Sequence, residues 1–186
     1  NEKLEDPLEI AHFGEKPLPE TMIRWTVSTV DKQILTEGSF TREIPLGNCI
    51  PVGTVRCDLA GIKEPSQLLV SVQIGDSDMR NRWNIWVYPA VKKTVDNLPY
   101  VTTRLDRTAQ DKLNKGESVL LLTYGTVPPE KGGDIAVGFS SIFWNTAWTR
   151  GQAPHTLGVC CDAKHPALAA FPNEGVSDYQ WWDLMN

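Results

Sequence analysis

Residues 22–30 read MIRWTVSTV, and in this stretch the apolar side chains of Ile23, Trp25 and Val27 alternate with polar ones. A period of two places successive side chains on opposite faces, so the stretch is predicted to be a half-buried β-strand. The same alternation recurs in shorter stretches, at 39–44, 54–59, 68–74 and 83–88. Turn-forming residues separate them, and no helical period lies among them. We therefore expect residues 1–89 to form an antiparallel, immunoglobulin-like β-sandwich.

The pattern changes after residues 89–99, which read PAVKKTVDNLP and have the composition of a linker. Residues 100–103 are predicted to form a short strand, 105–113 a helix capped by an aspartate, and 118–124 (SVLLLTY) a strand buried on both faces. A strand, a helix and a strand with short connections form a βαβ unit. We therefore expect an α+β chain of two small domains, in which residues 90–186 form an α/β domain, flavodoxin-like or amidotransferase-like.

The composition argues against several classes of partner. Lys and Arg number 18 against 23 Asp and Glu, which gives a net charge of −5, whereas nucleic acids and anionic membranes favour a basic surface. No apolar run reaches the roughly 20 residues that span a bilayer. We therefore expect no nucleic-acid partner and no membrane insertion. The chain has no CxxC pair and only three histidines, so no metal and no other cofactor is expected.

Adjacent cysteines raise a catalytic alternative. Cys160 and Cys161 end a predicted buried strand at 156–161, and His155 and His165 flank them in the sequence. A thiolate beside a histidine is a nucleophile, so a stand-alone hydrolase that uses such a Cys/His pair is one alternative function. The Gly-x-Cys-x-Gly pattern of a nucleophile elbow is absent, because residues 158–162 read GVCCD, and this favours buried, inert cysteines. No catalytic residue is assigned.

Seven tryptophans are an excess for 186 residues. Large aromatic side chains mostly pack in cores and interfaces, and exposed ones offer flat surfaces for stacking on rings. The alternation places Trp86 and Tyr88 on the strand face opposite Trp83, and Trp181 and Trp182 lie side by side near residue 186. Trp86, Tyr88, Trp181 and Trp182 are therefore the candidate carbohydrate-binding residues. Packing of Trp86 and Tyr88 against the second domain is one alternative. Another is a structural interaction domain that binds another subunit through Trp181 and Trp182.

Three stretches carry a family resemblance, the last of them in two parts. They are 10–14 (IAHFG), 84–89 (NIWVYP), and 165–174 (HPALAAFPNE) followed by 179–184 (YQWWDL). In this order they resemble the non-catalytic C-terminal accessory region of glycoside hydrolase family 2 proteins from gut Bacteroidetes, the β-galactosidase-like group. The resemblance extends from about residue 9 to residue 184.

The resemblance implies an accessory module that supports a catalytic barrel in the parent chain and binds glycan weakly. The catalytic residues of that family lie in a separate (β/α)₈ barrel of about 250 residues, so none of them is carried over to this chain. The resemblance also implies a periplasmic or extracellular location and no cofactor. Chains of that family continue beyond the Trp-Trp pair, so a truncated C-terminus is expected here.

Overall fold

The computed structural model describes residues 2–90, 98–123, 125–132 and 158–185. The chain forms two compact units. The first, here called the sandwich unit, is Asn1–Ala90 with Asp162–Glu174, and the second unit is Val91–Cys161 with Gly175–Asn186. The stretch expected to be the second domain, 90–186, thus contains fourteen residues that are part of the sandwich unit, namely Ala90 and Asp162–Glu174.

Six strands make up the sandwich unit. They are β1 (Lys3–His12), β2 (Leu18–Thr29), β3 (Ile34–Ile44), β4 (Gly47–Asp58), β5 (Ser66–Ile74) and β6 (Arg80–Val87). One antiparallel sheet has the order β3-β2-β5-β6, and β1 pairs with β4 in a second antiparallel sheet. The five strands predicted from alternation are confirmed, although most are longer than the alternating stretch.

The first strand escaped prediction because its sequence lacks a clean alternation. Asp6 stands between Leu4 and Leu8 on the half-buried side, and the register shifts between Leu8 and Glu9. Pro7 also argues against a strand, since proline donates no hydrogen bond. An edge position tolerates that loss, and β1 is the edge partner of β4.

The two sheets pack face to face, as in a β-sandwich. One cluster of buried side chains joins Trp25, Val27, Leu68 and Val70 of the larger sheet to Val55 and Cys57 of the smaller one. A second cluster joins Ile23 and Ile44 to Val52. Each such side chain, once fully buried, contributes about 1.5–3 kcal/mol through removal of apolar surface from water.

Two glycines make room for aromatic rings within this core. Trp25 lies opposite Gly38 in the β2–β3 register, and its ring stacks on that of Phe40 with a centroid distance of 6.3 Å. A Cβ atom added at Gly38 would lie 2.5 Å from Cζ2 of Trp25, and one added at Gly53 would lie 2.5 Å from Cε1 of Phe40. Both rings therefore occupy space that any other residue would fill.

The second unit contains a short strand, a helix and another strand. They are β7 (Tyr100–Thr102), α1 (Arg107–Asn114) and β8 (Val119–Leu121), and β7 pairs with β8 in parallel. Asp106 caps the helix as predicted, because its Oδ1 accepts a hydrogen bond of 2.8 Å from the Ala109 amide. Gly116, at φ +77°, follows the helix end, where the sequence predicted a glycine stop.

The second strand of this pair is not buried on both faces, contrary to the prediction from its apolar run. Leu120 is 47% exposed and Leu122 is equally so. Among the described residues, β8 pairs only with β7, so it is an edge strand of a two-stranded sheet. The buried strand predicted at 156–161 lies outside the described residues at 156–157. Over 158–161 a single bridge forms, between Cys160 and Val176.

The remaining regular secondary structure of the described chain consists of short helical turns. Three-residue 3₁₀ helices span Pro129–Lys131, Pro166–Leu168 and Tyr179–Trp181, and α2 (Trp182–Met185) continues from the last of these. Within the described ranges, no helix has the length and apolar character needed to cross a membrane. No group of three His, Cys, Asp or Glu side chains among those same residues could hold a metal ion.

Replacing Asp106 with alanine is expected to destabilise α1 by about 1 kcal/mol, because the Ala109 amide loses its acceptor. Amide hydrogen exchange in the first turn should then accelerate about fivefold. Asp111→Ala, in the helix interior, is the matched control and should change exchange little. Equal effects of both variants would contradict a capping role.

Candidate functional site

The register places Trp86 on the outer face of the larger sheet, as the alternation predicted. It pairs with Gln67 of β5, whereas Trp83 pairs with the buried Val70 and therefore belongs to the inner face. Trp86 is half-buried, and its indole Nε1 is inaccessible to water with no hydrogen-bond partner in the described part of the chain. Trp86 is thus mostly enclosed rather than displayed.

Residues 162–174, here called the cover segment, lie against this outer face. The ring of Phe171 stacks on Tyr88 with a centroid distance of 6.1 Å and an interplanar angle of 23°. Gln67 Nε2 donates a hydrogen bond of 3.2 Å to Glu174 Oε1. Two neighbours of Trp86 on this face, Gln67 and Tyr88, are therefore engaged by the cover segment, and Tyr88, although 43% exposed, already has an aromatic partner.

The cover segment is held in shape by its own short-range hydrogen bonds. Asp162 Oδ1 accepts from the Lys164 amide at 2.9 Å, and His165 Nδ1 accepts from the Ala167 amide at 3.1 Å. Pro166 then starts the 3₁₀ helix, where a missing amide hydrogen costs nothing. The histidine considered as a catalytic base thus uses one ring nitrogen to cap a helical turn.

The other two candidates lie in the second unit. Trp181 ends a 3₁₀ helix capped by Asp178, whose Oδ1 accepts from the Gln180 amide at 3.2 Å. Trp181 is half-buried with an enclosed Nε1, whereas Trp182 begins α2 and is 55% exposed. The four candidate residues therefore divide equally between the two units.

A cleft opens between the two sheets at their edge, between β1 and β6, and it is here called the edge cleft. It has a volume of about 360 Å³. Its lining is mainly apolar and includes Ile10, Val52 and Ile74, which pack in the second core cluster. Trp83 and Met79 also line it and are 44% and 48% exposed. The cleft exists because the two-stranded sheet is too narrow to cover four strands.

The sequence does not identify Trp83 as a candidate binding residue. Alternation correctly predicts that its side chain lies on the inner face of the sheet, where side chains are expected to be buried. Its pairing partner Val70 is 5% exposed, but Trp83 lies on the outermost strand, β6. Trp83 is exposed because the opposite sheet consists of two strands, β1 and β4, and does not extend over β6. The sequence did not predict β1, so the width of that sheet could not be predicted either.

Cys49, Cys57 and Cys160 are free thiols. Cys49 and Cys57 lie on the same strand, β4, eight positions apart, so they cannot pair with each other. At about 3.3 Å per residue they are about 26 Å apart along the strand, and a disulfide requires Cα atoms within about 7 Å. Burial, with a smaller contribution from Asp58, raises the pKa of the Cys57 thiol. Cys57 is therefore a neutral core side chain.

Thiol labelling should separate these cysteines into classes. Cys49 and Cys160 are exposed, so a maleimide reagent at neutral pH should modify them first. Cys57 should react only after the chain is unfolded, because it is buried and its raised pKa keeps it protonated. Peptide mass spectrometry over a labelling time course gives the order. Modification of Cys57 as fast as Cys49 would contradict its burial.

The fold and the edge cleft define an antiparallel β-sandwich protein with an open, mainly apolar recess. Comparison with known families gives two matches. Residues 2–89 match a family described as Domain of unknown function (DUF8488), and residues 100–186 match Domain of unknown function (DUF8487). Each match covers a little under half of the chain. No curated protein matches it.

Proposed function

We propose that the chain is a non-catalytic accessory module of a β-glycosidase similar to glycoside hydrolase family 2. In this proposal the sandwich unit is immunoglobulin-like, and the second unit is a small α/β domain of flavodoxin-like or amidotransferase-like type. The module supports the catalytic barrel of its parent chain and binds glycan weakly. It works in the periplasm or outside the cell.

The observation that carries the proposal is the stacked pair of Tyr88 and Phe171. These residues belong to 84–89 and 165–174, two of the stretches on which the family resemblance depends. The resemblance depends on the order of these stretches in the sequence, and the two stretches contact each other within one unit. A contact of this kind stabilises the fold, which favours a scaffold role for the module.

The first of the three stretches also has a structural role. Ile10 packs against the second core cluster, and His12 Nε2 lies 3.0 Å from the Lys16 carbonyl oxygen in the turn between β1 and β2. None of these contacts needs a bound substrate. They favour a module in which this stretch stabilises the fold over one in which it forms part of a reaction centre.

An antiserum raised against the chain tests the proposal in the source cells. We expect it to detect a polypeptide larger than 20.7 kDa by at least a barrel of about 250 residues. That polypeptide, immunopurified, should hydrolyse aryl β-galactosides, and the 186-residue chain alone should not. A native polypeptide of 20.7 kDa, or turnover by the chain alone, would overturn the accessory role.

A further inference from the structure

The edge cleft combines an exposed aromatic ring, an apolar floor and polar neighbours. Trp83 offers nearly half of its surface to solvent, and Val72 and Ile74 of β5 line the cleft beside it. Exposed polar residues also line the cleft, and among them Asn81 shares the face of β6 that carries Trp83, whereas Arg80 lies on the opposite face. A volume of about 360 Å³ lies within the range of about 300–1,000 Å³ typical of small-molecule sites.

The chemistry of this cleft selects an amphiphilic ligand. A wholly apolar ligand would leave apolar surface in water, because the residues at the mouth, Met79 and Trp83, are themselves about half exposed. A pyranose ring has one face of C–H groups and an edge of hydroxyl groups. The C–H face can stack on an indole, and an amide group can donate hydrogen bonds to hydroxyl oxygens.

We infer that the edge cleft is the glycan-binding site of the sandwich unit, with the indole of Trp83 as the stacking surface and Asn81, on the same face of β6, as a hydrogen-bonding group. The inference rests on the proposed function for the choice of a sugar. It places the binding site on the inner face of β6. The residues first considered, Trp86 and Tyr88, lie on the outer face, where the cover segment engages their surroundings.

Calorimetric titration and saturation-transfer NMR with methyl β-D-galactopyranoside and methyl β-D-glucopyranoside test the inference on the full chain. At least one sugar should bind, and saturation should be strongest at the protons of its apolar face. Trp83→Ala should weaken binding at least about tenfold, and Trp83→Phe should retain part of it. Tyr179→Ala is the control, because Tyr179 is a large aromatic residue that is 83% exposed and does not line the cleft, and it should leave binding unchanged.

Asn81→Ala keeps the test decisive if Trp83→Ala fails to fold, since Asn81 is exposed. It should weaken binding severalfold. If neither sugar binds, or if wild type and the cleft variants bind equally, the inference is overturned. So would binding of dodecanoate that is lost in Trp83→Ala while no sugar binds. The antiserum experiment does not depend on these results, so the accessory role and the cleft assignment can fail separately.

Discussion

Leu68→Ala is expected to lower the free energy of unfolding by about 2–5 kcal/mol. The Leu68 side chain is fully buried in the first core cluster, and its pairing partner on β6 is Ile85. Truncation removes apolar contacts and leaves a cavity that strands on both sides prevent from closing. Chemical unfolding monitored by tryptophan fluorescence gives the change directly.

The matched control for this substitution is Leu46→Ala in the same unit. Leu46 lies in the turn between β3 and β4 and is 47% exposed. The chemical change is identical, so the difference between the two variants isolates burial. A loss of about 0.5 kcal/mol or less is expected for Leu46→Ala. Similar losses for both variants would show that Leu68 is not enclosed as described.

Gly53→Ala is expected to destabilise the sandwich unit by about 1–3 kcal/mol through overpacking. The new methyl group would lie 2.5 Å from two carbon atoms of the Phe40 ring, and that ring is stacked on the buried Trp25. Neither ring can move without disturbing the core. Gly61→Ala provides the control, because a Cβ added there has no atom within 4 Å.

A second substitution shows whether the ring is the cause. In the Gly53→Ala background, Phe40→Val removes the atoms that the methyl group would meet. The loss for the double variant should therefore be smaller than the sum of the two single losses, measured by the same unfolding experiment. Strict additivity would indicate that the glycine is required for its backbone rather than for the space above it.

The local sequence pattern predicted an element correctly wherever a single physical signal determined its structure. Alternation predicted β2, β5 and β6 because each has one face in the core and one outside. The Asp106 cap could be predicted because the side chain of an N-cap aspartate accepts a hydrogen bond from the amide three residues later. The signal failed in β1, where a charged residue and a proline interrupt the alternation and an edge position makes both tolerable.

The candidate site was less accessible because it depends on distant parts of the chain. No residue near Tyr88 in the sequence predicts that Phe171 stacks on it. Likewise, no residue near Trp83 predicts that the opposite sheet leaves it uncovered. Alternation assigns a side chain to a face, whereas exposure depends on what that face meets.

The sandwich unit is assembled from two pieces of chain, with residues 91–161 between them. A ribosome releases the six strands well before it has made Phe171 and Glu174. Until those residues emerge, Tyr88 and Gln67 lack the partners that they have in the finished protein. The outer face of the nascent sheet therefore stays uncovered until residues 162–174 have been translated, and a fragment that ends near residue 90 would form a sandwich with that face bare.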